Sequence, residues 1–195
     1  MPIDDPIYRI KPGYVSRPAN NKGFFSPDAE RAQLNVYRYA HKLARGMSPK
    51  IETVLDWGCG TGGKLVRVFG HLQTLGVDVP ECIARVKKKR PDREWCSPPV
   101  SIVADLVLCV DVIEHLDDPR DLLKQIKEGD WRLLVISTPE RDRVRGKRSM
   151  GPPTNRWHVR EWNRSEFKAF LQQELGVQPR TVVLGRWNLV ARVER

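Results

Sequence analysis

A chain of 195 residues with 40% hydrophobic and 30% charged residues has the size and composition of one ordinary globular domain, which excludes a fibrous, low-complexity or natively unfolded protein. No apolar run approaches the roughly 20 residues of a membrane-spanning helix, and Met1-Pro2-Ile3-Asp4-Asp5 lacks the basic-then-apolar start of a secretory leader, so a cytoplasmic protein without a membrane span is expected. The net charge of +10 favours anionic ligands without dictating a fold, and Cys59, Cys82, Cys96 and Cys109, with no CxxC spacing, point away from a disulfide framework or a structural zinc site.

Residues 1 to 25 mix prolines and glycines with Tyr8, Tyr14, Phe24 and Phe25 and read as an ordered arm over the domain, in which Arg17 is either a carboxylate ligand or a solvated surface arginine. Ser26 then caps a helix with Pro27 in its first turn and Gly46 at its end. The decisive stretch follows. Val54-Leu55-Asp56-Trp57-Gly58-Cys59-Gly60-Thr61-Gly62-Gly63 reads as a buried strand breaking into a glycine-rich turn, and Gly58, Gly60 and Gly63 satisfy the G-x-G-x-x-G spacing of a dinucleotide site. Asp56, at the strand's carboxyl end, argues against a pyrophosphate. Like unit charges about 4 Å apart repel by on the order of 4 kcal/mol at an effective dielectric near 20. A ligand with an ammonium group is attracted there instead, and S-adenosylmethionine, with ammonium, sulfonium and adenosine, suits the site better than NAD.

A helix from near Gly62 returns to a second strand, 74–79, in which Asp78 repeats the position of Asp56 as a ribose ligand or a helix-capping residue. A basic-tailed helix over 80–90 and a short strand over 92–95 come next, then a turn at Cys96-Ser97-Pro98-Pro99. Leu106 to Val110 is continuously apolar, as in a central parallel strand covered on both faces. A helix from Asp118 and Pro119 to Lys127, a fifth strand over 131–137, a basic loop over 141–164, a capping box at Asn163 and Glu166, and a hairpin over 181–193 complete the chain. The loop carries eight Lys or Arg against two acids, and its length suits a binding segment. Arg141, Arg143, Arg145, Arg156 and Arg160 are either clamps for an anionic acceptor or solvated.

Asp111, Glu114 and His115 stand at i, i+3 and i+4 and share a face if a helical turn follows the fourth strand. A capping network, acid and base groups, or ligands of a divalent ion are the roles open to them. His158, on a loop above the fifth strand, is a base for an acceptor hydroxyl or an imidazole packed under Trp157 and Trp162.

Leu55-Asp56-Trp57-Gly58-Cys59-Gly60-Thr61-Gly62 closely resembles the first motif of class I S-adenosylmethionine-dependent methyltransferases. The resemblance covers roughly residues 50 to 195. It implies an α/β, Rossmann-like seven-stranded methyltransferase sheet, five parallel strands plus a C-terminal antiparallel hairpin, with helices on both faces. One domain over 1–195 follows, with 1–46 as arm and helix and 50–195 as catalytic core. Carried onto this chain, the donor would be held by Asp56, Gly58, Cys59, Gly60, Gly62, Asp78, Val79, Trp95, Cys96 and Asp111. Relatives often place an acid after the third strand to read adenine, where this chain has Cys96 and Ser97; Trp95 would flank the base or be buried.

Asp111-Val112-Ile113-Glu114-His115-Leu116, Ser137-Thr138-Pro139 and His158-Val159-Arg160-Glu161-Trp162-Asn163-Arg164 look like the acceptor side of two groups. One is the ubiquinone-biosynthesis type with its small-molecule and glycan relatives, which implies O-methylation of a small-molecule or glycan acceptor. The other methylates the 2′-hydroxyl at the 3′ end of small RNAs. There, residues matching Asp111, Glu114, His115 and His158 hold magnesium, with Glu at the first position where this chain has Asp. Two carboxylates and two imidazoles also suit manganese, iron or zinc. RNA is the less favoured acceptor, because the chain has no recognisable RNA-binding module. A catalytically silent, cofactor-binding subunit is the third reading.

Overall fold

Parallel strands that are apolar on both faces must be covered on both, and the computed structural model, which describes residues 32–149 and 152–195, has helices on each side of one sheet. The arm at 1–25, Arg17 and the Ser26-Pro27 start of the leading helix lie outside the described residues. In chain order the elements are α1 (Leu34–Ala44), β1 (Thr53–Trp57), α2 (Gly63–Phe69), β2 (Gln73–Val77), α3 (Pro80–Lys89), β3 (Glu94–Cys96) and β4 (Leu106–Val110). A 3₁₀ turn at Ile113–His115 follows, then α4 (Arg120–Glu128), β5 (Leu133–Pro139), α5 (Arg141–Arg145), α6 (Arg164–Leu175), β6 (Arg180–Leu184) and β7 (Asn188–Glu194).

The strands lie in the order β3-β2-β1-β4-β5-β7-β6. The first five are parallel, and β7 runs antiparallel between β5 and β6. This is the expected seven-stranded methyltransferase sheet. The alternation of side chains along each strand divides the core. Val54, Leu106, Leu108, Val110 and Val135 pack with α1, α2 and α3. Leu55, Trp57, Val107, Cys109 and Ile136 pack with α4 and α6 on the other face. Asp56 therefore shares the Val54 face, beneath α1.

Several boundaries shift, the fifth strand from 131–137 to Leu133–Pro139 and the loop over 141–164 by opening on the short helix Arg141–Arg145; two of the shifts have local reasons. The β2 ladder ends at Val77 because its carbonyl accepts from Gly58 N (2.8 Å) and Cys59 N (3.1 Å), which leaves Asp78 and Val79 in the connection to α3. Cys96 ends β3 rather than starting the following turn, since it pairs with Val77. The capping box at Asn163 is present: its side chain accepts from Glu166 N (3.0 Å), and Glu166 Oε2 accepts from Asn163 N (3.0 Å). Gly176, with a left-handed φ of 74°, ends the same helix.

Candidate active site

The carboxyl ends of β1, β2, β4 and β5 meet at one edge, and the glycine turn lies there between β1 and α2. At Gly58 (φ 81°) and Gly62 (φ 67°) the backbone is left-handed. A Cβ would lie 2.2 Å from Val112 Cγ2 at the first and 2.2 Å from Trp95 Cη2 at the second, so both positions need glycine for conformation and for space. Trp95 is buried, its indole N–H donates to Arg90 O (2.8 Å), and its ring lies under Gly62 and Gly76 as the floor of the turn. Of its two expected roles, packing is the one this geometry displays.

Asp56 is fully buried; Tyr37 Oη donates to its Oδ2 (2.9 Å), while Oδ1 has no hydrogen-bond partner among the described residues. Burial pushes its carboxyl up to about 7, with Asp78 adding to the rise and Tyr37 and Lys64 opposing it. Burial also raises the Tyr37 hydroxyl well above its ordinary value, and the Asp56 charge adds to this. Asp78 is not a side-chain cap for α3, whose N-cap is Val79 with no side-chain bond. Its Oδ2 accepts from Gly60 N (2.8 Å) and its Oδ1 from Val79 N (2.8 Å), so the carboxylate braces the turn from the end of β2. Burial raises its carboxyl, and the two backbone donors oppose that. Cys82 Sγ, 3.2 Å from Gly60 O, closes the turn from α3.

Across the edge, the run after β4 divides. Asp111 has a φ of 53°, its Oδ1 accepts from Ser137 Oγ (2.6 Å), and its N–H donates to Ser137 O (3.1 Å), which ties it to β5. Glu114 and His115 lie in the 3₁₀ turn. Their ligating atoms and one of His158 fall within 4.8 Å of one another, a group of three that does not include Asp111. Glu114 is fully buried with no close hydrogen-bond partner on either carboxylate oxygen among the described residues, and burial, then the charge of Asp111, raises its carboxyl well above the usual range, with the Thr138 hydroxyl among the groups opposing the rise. His115 Nδ1 is 2.7 Å from Trp157 O, a carbonyl that can only accept, so Nδ1 carries the proton. Its Nε2 lies 3.9 Å from Glu114 Oε1.

His158 is buried and held from both nitrogens. Nδ1 is 2.7 Å from Glu161 Oε1, and Glu161 Oε2 is paired with Arg145 Nε at 2.8 Å. Nε2 is 2.9 Å from Asn155 Nδ2, and Asn155 is oriented because its Oδ1 accepts from Trp157 N (3.0 Å). A carboxylate on one side and an amide donor on the other assign a neutral imidazole with the proton on Nδ1 and the lone pair on Nε2. The rings of His158 and His115 meet edge to face at 4.9 Å.

The basic loop is less available to ligands than its composition implies. Arg141 is paired with Glu166 (2.6 Å), Arg145 with Glu161, and Arg160 donates to Asp117 O (2.7 Å); Arg143, Lys147, Arg148 and Arg156 are exposed. Sequence reasoning had no role for Tyr37, Ser137, Asn155 or Glu161. Glu161 stands three residues after His158, a spacing that offered a signal; Tyr37 offered none.

The model of a family described as "Methyltransferase domain" matches residues 28–176. No curated protein matches. Among solved structures, magnesium protoporphyrin IX methyltransferase from Synechocystis PCC 6803 with bound SAH aligns with a TM-score of 0.64 and 15% identity, covering 94% of this chain and 91% of that one. The methyltransferase domain of bacterial CtHen1 aligns with a TM-score of 0.60 and 20% identity, over 83% of this chain and all (100%) of that one. An O-methyltransferase family protein from Burkholderia thailandensis aligns with a TM-score of 0.58 and 17% identity; the match covers 85% of this chain and only 58% of that protein.

Proposed function

Because the chain belongs to the methyltransferase-domain family, which here takes its methyl group from S-adenosylmethionine, we propose that its 50–195 core transfers that group to a hydroxyl of an anionic small-molecule or glycan acceptor. The residues fit the donor. The turn between Asp56 and Gly63 has a glycine backbone that a Cβ would obstruct, Asp56 Oδ1 is buried without a hydrogen-bond partner, and Asp78 keeps second lone pairs for ribose hydroxyls. The donor supplies an electrophilic methyl group on sulfur; everything else falls to the chain.

The observation that carries oxygen as acceptor is the tautomer of His158, with its lone pair on Nε2 beside Glu114 and His115. An acceptor hydroxyl that takes the place of the Asn155 amide is hydrogen-bonded to Nε2, which accepts its proton as the oxygen becomes the nucleophile. Glu161, backed by Arg145, stabilises the imidazolium that results. Held in line with the methyl group, the oxygen gains the advantage of an intramolecular reaction. Exposed Arg143, Lys147, Arg148 and Arg156 support an acceptor with negative charge.

The Glu114, His115 and His158 group favours a second reading, RNA 3′-terminal 2′-O-methylation with a divalent ion. The group fits an ion: among the described residues neither Glu114 carboxylate oxygen has a close hydrogen-bond partner, and each imidazole's other nitrogen is held by a carbonyl or a carboxylate, as in metal sites. Such an ion would polarise the acceptor hydroxyl as a Lewis acid. One carboxylate with two imidazoles suits manganese, iron or zinc better than magnesium.

The test is transfer of a labelled methyl group to hydroxylated anionic small molecules and glycans, with short RNA beside them. His158→Gln should lower kcat about 10²- to 10⁴-fold with donor affinity unchanged. Equal loss of both would assign His158 to packing. Full activity after verified metal removal would exclude the metal-assisted reading, and absence of RNA binding at low salt would exclude the RNA one.

A further inference from the structure

We propose that Tyr37 is a positioning residue for the methyl donor: its hydroxyl holds Oδ2 of Asp56 so that Oδ1 alone is presented to the donor's ammonium group. The proposal rests on the donor reading of Asp56 given above and concerns a residue of the leading helix, outside the glycine turn and outside the 50–195 core.

Three observations carry it. Asp56 and Tyr37 are both buried, at 0% and 1% exposure, and the 2.9 Å bond between them leaves one carboxylate oxygen without a hydrogen-bond partner among the described residues. A buried polar atom in that state costs free energy unless something pairs with it, and a cation is the partner its charge selects. Tyr37 is also fixed from outside the pair. Lys64 Nζ lies 5.7 Å from its ring centroid and 3.4 Å from Gln33 Oε1, so α1 is tied to α2 one turn before Tyr37. Finally, Gln33, the left-handed N-cap of α1, hydrogen-bonds Asp111 as Tyr37 does Asp56. The helix and its cap thus hold an acid on each side of the edge.

The chemistry of the pair gives it a recognisable signature. A phenol donating to one oxygen favours the ionised carboxylate, in opposition to burial, which pushes the Asp56 carboxyl up to about 7. Among the described residues, the ionisable groups around the carboxylate are Tyr37 from α1, Lys64 from α2, Asp78 beyond β2, Cys59 in the turn and Cys109 from β4. Lys64 is the cation among these, so loss of the phenol leaves the carboxylate more readily protonated near neutral pH. A protonated Asp56 no longer attracts an ammonium group.

The test uses the full chain and calorimetric binding of S-adenosylhomocysteine, with 5′-methylthioadenosine, which lacks the amino-acid portion, as the control. Tyr37→Phe keeps the ring and removes the hydroxyl. It should weaken S-adenosylhomocysteine about 5- to 20-fold at pH 7, corresponding to roughly one hydrogen bond to a charged group, and leave methylthioadenosine unchanged. The ratio of variant to wild-type affinity should narrow from pH 6 to pH 8; the ratio cancels the ligand's own titration. Equal weakening of both ligands would overturn the proposal in favour of a packing role, as would an affinity ratio indifferent to pH. Asp56→Asn separates the two levels. If it weakens S-adenosylhomocysteine while Tyr37→Phe does not, the positioning role fails and the donor reading stands. If Asp56→Asn binds like wild type, both fall.

Discussion

At the scale of single residues, the donor role proposed for Asp56 comes at a cost in stability. Its carboxyl is near 7 in the folded chain because of burial, against roughly 3.9 in an unfolded one. Below both values the group is protonated in either state and costs nothing. As pH rises from 4 through 7 the unfolded chain is already ionised while the folded one must still give up its proton into a buried site, so stability falls through that window and stays low above it. Asp56→Asn retains an acceptor for Tyr37 and removes the charge. In denaturant titrations it should match wild type near pH 4 and exceed it at pH 8 by on the order of 2–4 kcal/mol, since each tenfold change in proton affinity on folding is worth about 1.4 kcal/mol. A constant difference across that range would contradict the burial argument. Gly62→Ala meets the opposite fate: a left-handed φ and a collision with the Trp95 ring at 2.2 Å predict a loss of about 1–3 kcal/mol together with donor binding. Thermal unfolding with and without S-adenosylhomocysteine measures both.

At the scale of elements, the return from β5 to α6 is stitched into the site at several points. Glu140 and Trp162 form an isolated bridge, Arg141 N donates to Trp162 O (2.9 Å), and Val159 N donates to Glu114 O (2.7 Å). Arg145 on α5 then reaches Glu161 with both side chains almost fully buried, at 6% and 1% exposure. Removing one member of such a pair strands a buried charge, so Arg145→Leu and Glu161→Leu should each cost about 3–5 kcal/mol, and the double variant clearly less than their sum. Additive losses in urea titrations would mean that the two do not interact. The same stretch explains what a linear reading captures. The capping box at Asn163 and Glu166 and the stop at Gly176 are local in sequence and appear where composition predicts them. The strand LVLCV at Leu106–Val110 is equally plain, because its burial on both faces is written in its own residues. That Arg141, Arg145 and Arg160 are internal ties, where the sequence left a choice between ligand clamps and solvated side chains, is not, since charge composition carries no information about partners. Nor is the Tyr37–Asp56 bond, made across 19 residues between a helix and a strand, whose existence depends on how α1 lies over the sheet. Asp111 illustrates the limit from the other side. Its i, i+3, i+4 spacing with Glu114 and His115 assumes a helical turn starting at Asp111, but the chain turns through a left-handed φ there and begins the 3₁₀ turn at Ile113, which directs Asp111 to Ser137.

At the scale of the whole molecule, the sheet order gathers the donor acids and the histidine group at one edge, while the charge decides what approaches it. With a net charge of +10 and Arg143, Lys147, Arg148 and Arg156 exposed on the loop that carries His158, the field favours an anion over the donor, whose ammonium and sulfonium outweigh its single carboxylate, in keeping with the anionic acceptor proposed above. Salt separates the two, because a screening length of about 10 Å at 0.1 M shrinks to about 3 Å at 1 M. Raising ionic strength from roughly 50 to 500 mM should therefore increase KM for the acceptor several-fold and leave KM for S-adenosylmethionine within about two-fold. The slope carries further information. A single-stranded nucleic acid that releases counterions from Z phosphates gives a log–log slope near −0.7Z, so a slope of roughly −3 or steeper requires four or more contacted phosphates and identifies a polymer acceptor. A shallow slope, near −1, fits the one or two charges of a small molecule or glycan. An acceptor KM that ignores salt altogether would remove the anionic acceptor, because the basic loop would then have no electrostatic part in binding.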